Sequence, residues 1–209
     1  MDLPASTVFN RFVPKEKFYN KTPISSKLRQ QFTDEIEKIK WTNKIAPDTL
    51  NITSKEYAEL QVFEITLKKS ELNMSVLKHI DTLIPYPILF ILKRANTTKA
   101  VISHKVLSLK NEDLMIVDSY FETPWSQDLK LELKGRSVDE IYRNYLYQIA
   151  PQLIKICTAN IKETIEANRE REKIQKQIDA INKKIANEPS LAKKQELARK
   201  RYALEKQLR

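Results

Sequence analysis

The sequence predicts an α+β fold: a largely antiparallel sheet with helices on one face, followed by a C-terminal antiparallel helical hairpin that forms a coiled-coil arm. Three observations carry this. Period-two alternation and short apolar runs recur between positions 57 and 134, separated by turn-forming residues. Apolar residues three and four apart mark helices before, within and after that region. From about Ile161 to Arg209 the chain is dominated by Lys, Arg, Glu, Gln, Ala, Ile and Leu, with one proline and no glycine, the composition of long helix.

Residues 1–24 carry Phe9, Phe12, Pro14, Phe18, Tyr19 and Pro23. They are too irregular for helix and too aromatic for a free tail, so an extended segment docked on the body is expected. The body is expected over 25–150. Ser25 or Ser26 caps a first helix whose buried stripe is Leu28, Phe32, Ile36 and Ile39, ending near Trp41 to Ile45. Phe63, Ile65 and Leu67 alternate with Glu64, Thr66 and Lys68, which reads as a strand. Val76, Leu77, Ile80, Leu83 and Ile84 form a short amphipathic helix opening at Asn73 or Ser75 and stopped by Pro85. Residues 86–92 are apolar at every position after Pro87, the mark of a strand buried on both faces. A turn at 94–99 leads to a strand over 100–109. A second turn at 110–113 leads to a strand over 114–121. Leu129, Leu131 and Leu133 alternate with charged residues and predict a last strand with one wet face.

Ser137 with Glu140 three residues on is a capping-box pattern, and it opens a helix over 141–150. The arm is expected over 151–209. Ile174, Ile178, Ile181 and Ile185 recur at spacings of four, three and four, a heptad seam. The run breaks at 187–190, where Pro189 cannot continue the helix and Ser190 can cap the next one. Leu197, Leu204 and Leu208 then share a face, which predicts an αα-hairpin turning near 187–190.

The chain has 209 residues, a net charge of +10 and a hydrophobic fraction of 41%. That is enough apolar content for a core, and the charge favours polyanionic partners. From Asn160 to Arg209 there are 14 Lys and Arg against 8 Asp and Glu, so the arm holds more than half of the net charge. Gly135 is the only glycine. Phosphate-cradling loops need glycines to let the backbone approach the ligand, so no Walker loop, dinucleotide fingerprint or nucleophile elbow can be drawn. No organic cofactor is expected. Cys157 stands alone and reads as a small buried hydrophobe; one Cys with His79 and His104 makes no zinc set. Without a disulfide framework or a visible signal peptide, the expected location is the cytoplasm. The longest apolar run, 84–92, is far short of a bilayer span, so no membrane association is expected.

Candidate chemistry is sparse. A restriction-type nuclease site needs two acids and a lysine at one spot, and the available set is Glu64, Lys68, Asp34 and Glu35. Glu64 and Lys68 share a strand face but are four residues apart, about 13 Å, where the usual acid–lysine spacing is two. The arm offers more. Lys183, Lys184, Lys193, Lys194, Arg199, Lys200 and Arg201 flank its turn and suit phosphate contact. Ile174, Ile178, Ile181, Ile185, Leu197, Leu204 and Leu208 suit pairing with a partner helix or with a second copy of the chain.

Several stretches carry a family resemblance. They are the run from Phe9 to Tyr19, Ile36 to Trp41, Leu60 to Lys68, the distinctive Ile80 to Phe90 with its Ile-Pro-Tyr-Pro core, and Tyr120 to Trp125. With the Ile141-Tyr142 helix and the basic arm, they resemble the bacterial "domain of unknown function" family 4391 nearly end to end. The resemblance implies a setting rather than an activity: family members sit beside helicases and DNA methyltransferases in restriction-modification-like defence clusters. The expectation is therefore a non-catalytic accessory subunit that binds a helicase or methyltransferase partner, DNA, or both. A metal-dependent nuclease is the alternative, and a self-assembling structural protein a further one.

Overall fold

Six strands pair in the order in which the chain makes them, β1 through β6, in one sheet. The computed structural model describes residues 1–20, 22–107, 115–156 and 161–208. A 3-10 turn at Ala5–Thr7 precedes β1, Val8–Phe12. Then come α1 (Glu16–Tyr19), α2 (Ser26–Glu35), β2 (Ile36–Ile45), α3 (Pro47–Leu50), β3 (Leu60–Leu67), α4 (Met74–Thr82), β4 (Ile88–Arg94), β5 (Thr97–Leu107), β6 (Met115–Glu122) and α5 (Val138–Ile149). The β3–β4 pair is parallel and bridged by α4; the other neighbours are antiparallel. The architecture is α+β, as the alternation and helical spacing predict.

The chain divides into two compact units, 1–151 and 152–209. In the first, Phe18, Phe32, Phe63, Ile65, Val76, Leu77, Ile80, Phe90 and Val101 form one core cluster under α1, α2 and α4. The alternate residues Val62, Leu89, Ala100 and Ile102 are buried as well, so the central strands are dry on both sides. An aromatic row runs through this layer. Trp41 lies 4.0 Å from Phe9 and 5.9 Å from Phe63, and Phe63 lies 6.3 Å from Phe90, ring centre to ring centre. These aromatics are packing residues.

Two predicted elements of the body differ. The first helix stops at Glu35, and Ile36 and Ile39 belong to strand β2. A register shift between Ile36 and Lys38 inserts one residue into the ladder. The bulge puts Ile36 and Ile39, three apart, on one face, where both are fully buried. A bulged strand thus carries the spacing of a helix. Residues 129–134 are the second case: they are extended but join no ladder. The Gln148 side chain accepts from Glu132 N at 2.8 Å and donates to Glu132 O at 2.9 Å. Asn144 Nδ2 donates to Lys134 O at 2.9 Å. Side-chain amides of α5 take the place of a neighbouring strand, so alternation survives without a sheet.

The N-terminal segment docks as edge strand β1, but it is not extended throughout: Glu16–Tyr19 forms the short helix α1, which carries Phe18 into the core. Ser25 Oγ accepts from Leu28 N, and Asn73 caps α4. Ser137 Oγ accepts from Glu140 N, while the Glu140 carboxylate reaches back to Arg136 N rather than to the cap residue. Just before this turn Gly135 has φ 142°. A Cβ there would lie 2.7 Å from Ile141 N, so the only glycine stands where α5 turns back on its own approach.

A 3-10 segment, Pro151–Ile156, begins at the last residue of the first unit, and in the second unit α6 (Ile161–Asn187) and α7 (Leu191–Gln207) pack as a hairpin. Ser190 holds the N-cap position of α7 but its side chain makes no capping bond; the Glu188 carboxylate accepts from Ser190 N instead. The predicted turn at 110–113 and Cys157 lie outside the described residues. Among the described residues, no helix is long and apolar enough to cross a membrane.

Candidate functional site

The hairpin places its predicted residues on two distinct surfaces. Ile178 is buried, and Ile174, Ile181, Ile185, Leu197, Leu204 and Leu208 are half-buried along the line where α6 and α7 meet. The heptad spacing is thus used first within the hairpin. Its apolar seam is left partly open, since only Ile178 of these seven residues is buried.

The seven predicted cations also divide. Arg201 reaches across the hairpin: Nη1 donates to Asn182 Oδ1 of α6 at 3.3 Å, and Nε lies 3.1 Å from Glu205. It fastens the two helices and is already engaged by protein groups. Lys200 pairs with Glu196 at 2.6 Å one helical turn away. Lys183, Lys184, Lys193, Lys194 and Arg199 make no ion pair and no side-chain hydrogen bond among the described residues, and all but Lys194 are exposed.

A cleft of about 540 Å³ opens at the hairpin tip. Lys183, Lys184 and Asn187 line it from α6, Glu188 from the turn, and Lys193, Glu196 and Leu197 from α7. Both of its acids are engaged: Glu188 holds the first turn of α7 and Glu196 holds Lys200. Its three lysines outnumber the acids and make no ion pair among the described residues, so the cleft keeps a net positive charge. Sequence reasoning found the lysines but missed Asn187, Glu188 and Glu196. The signal available was the turn itself, which brings positions 183 and 197 opposite each other.

The nuclease candidates take structural posts. Lys68 Nζ donates to Thr33 O at 2.8 Å, capping the carbonyl end of α2, where a cation also meets the negative end of the helix dipole. Lys15 Nζ donates to Ile36 O at 2.9 Å beside it, and burial, then the neighbouring Lys68, lowers its pKa. Glu35 accepts from Asn73 N at 2.8 Å, and Asp34 lies 3.9 Å from Lys69. Glu64 pairs with Lys93 on β4 at 2.6 Å. Asp34, Glu35 and Lys68 thus gather at one end of α2, with Glu64 elsewhere on β3. Among the described residues no three of His, Cys, Asp and Glu form a group able to hold a metal ion.

A buried polar network went unread in the sequence. Asp81 of α4 and Lys105 of β5 meet at 3.1 Å with both side chains fully buried. Lys105 Nζ also donates to the carbonyls of Asp81 (2.9 Å), Tyr86 (2.7 Å) and Ile84. The second Asp81 oxygen accepts from Tyr120 Oη at 2.6 Å, and Ser103 Oγ donates to the first at 3.2 Å. Burial pushes the Asp81 carboxyl up and the Lys105 ammonium down, and their pairing opposes both shifts. This network ties the Ile-Pro-Tyr-Pro loop to the sheet. Its signal was the polar run Ser103-His104-Lys105 set between Val101-Ile102 and Val106-Leu107 in β5. His104, on the next position, contacts Asp118 at 3.2 Å.

The chain belongs to the family described as "Domain of unknown function (DUF4391)", which matches residues 1–208. No curated protein and no solved structure matches it.

Proposed function

We propose that this chain is a non-catalytic accessory subunit of a bacterial DNA-defence system of the restriction-modification kind. Its basic hairpin engages DNA, and the open edge of its Ile/Leu seam engages a helicase or methyltransferase partner. The observation that carries the reading is the set of three cations at the hairpin tip, Lys183, Lys184 and Lys193, without an ion pair among the described residues. Cations left unpaired on a folded surface are available to phosphate, and each phosphate they neutralise releases counterions. The partner and the setting are those implied by the family resemblance. The net positive charge of the arm opposes the packing of two arms together, which favours a foreign partner over self-assembly.

The test is a salt titration of the full chain on labelled duplex DNA, beside the variant Lys183→Glu/Lys184→Glu/Lys193→Glu. The expected logarithmic salt slope is about −0.9 per phosphate contacted, shallower in the variant by roughly two to three units. No binding at low salt would remove DNA from the proposal. Co-purification with a helicase or methyltransferase encoded beside it, lost in Ile181→Glu and kept in the triple variant, tests the partner.

A further inference from the structure

We propose that the cleft at the hairpin tip is a site for the terminal phosphate of a nucleic-acid strand. The inference rests on the reading of the arm as a DNA contact and assigns that contact a specific ligand group. Shape is the first argument. A duplex backbone is convex, and cations on an open helix face are sufficient to meet it. The tip instead offers a wide, open cleft of about 540 Å³ between α6 and α7, with lysines on both walls. A strand end can bring its phosphate between the two walls without laying a continuous backbone across them.

Charge is the second argument. An internal phosphodiester carries one negative charge. A phosphomonoester carries about −1.5 to −2 near neutral pH, with three acceptor oxygens. Lys183, Lys184 and Lys193 converge from both helices, and none makes an ion pair among the described residues. Of the two cleft carboxylates, Glu196 is offset by Lys200, and Glu188, which accepts from Ser190 N, leaves the three lysines in excess. Leu197 offers an apolar wall and Asn187 an amide, the mixture that receives the nucleoside behind a terminal phosphate.

The experiment compares one short oligonucleotide with a 5′-phosphate, a 3′-phosphate or hydroxyl ends, each as single strand and as blunt duplex, binding to the full chain. A strand end bearing phosphate is expected to bind about tenfold more tightly than its hydroxyl counterpart, from the added charge. Lys183→Gln and Lys193→Gln are expected to abolish that preference. Lys206→Gln, on the arm but outside the cleft, is expected to retain it. Circular dichroism confirms that each variant keeps its helix. Equal affinity for phosphorylated and hydroxyl ends would overturn the terminal-phosphate site while leaving the DNA-binding reading intact. Failure to bind any of the DNAs would overturn both.

Discussion

Lys105 Nζ stands 3.1 Å from Asp81 Oδ1 with neither side chain exposed, and its remaining hydrogens meet the backbone of the Ile-Pro-Tyr-Pro loop. A buried pair of this kind is costly to form, and costlier to leave half-formed. Lys105→Met strands a carboxylate and several carbonyls, with an expected loss of about 3–5 kcal/mol. Asp81→Leu strands an ammonium at a similar cost. The double variant removes both charges, so its loss falls well below the sum of the two. Urea denaturation of the four proteins reads the coupling directly, and simple additivity would show that the two groups do not act together.

Gly135→Ala places a Cβ against the backbone of Ile141 at a φ that L-residues rarely adopt. The expected loss is about 1–3 kcal/mol, visible as a lower Tm. An unchanged Tm would mean that the turn before α5 relaxes freely.

Ala95 sits at φ 42° in the two-residue turn between β4 and β5. Glycine takes this conformation without steric cost, though it loosens the unfolded chain. Ala95→Gly is expected to stabilise by up to about 1 kcal/mol in denaturant. It is the opposite result to Gly135→Ala, from the same physical cause.

Arg201 and Lys184 were indistinguishable as basic residues in the sequence. Arg201→Gln is expected to loosen the hairpin, lowering the helical signal or its melting temperature, because it loses Asn182 and Glu205. Lys184→Gln is expected to leave the helix intact and to reduce the salt slope of DNA binding by about one unit. Exchange of these two phenotypes would invert the assignment of inner and outer faces.

The elements that were legible in the sequence are those in which one physical cause sets the pattern. The Ile174–Ile185 seam faces another helix, and 86–92 is dry on both sides, so the spacing alone locates each. The Ile36–Ile39 stripe misled because a bulge, not a helical turn, creates its period, and a bulge leaves no local mark. Leu129–Leu133 misled for a different reason. Alternation reports an extended chain with one dry face, and it does not say whether the hydrogen-bond partner is a strand or Gln148. The tip lysines were visible as composition. Their freedom from ion pairs was not, because it depends on where Glu188 and Glu196 turn. The Asp81–Lys105 network joins residues 24 apart, beyond the reach of any local period.

The strands pair in chain order, and this bears on how the protein is made. Each ladder joins a strand to its predecessor, and even the parallel pair is closed over the short α4 crossover. Loop closure therefore costs little at each step, and contacts within the sheet stay local in sequence. The sheet can grow by one strand at a time as the chain leaves the ribosome, with β1 and β2 paired before β5 exists. Such a sheet spends little time with a long unpaired edge exposed, which is when β-rich chains aggregate.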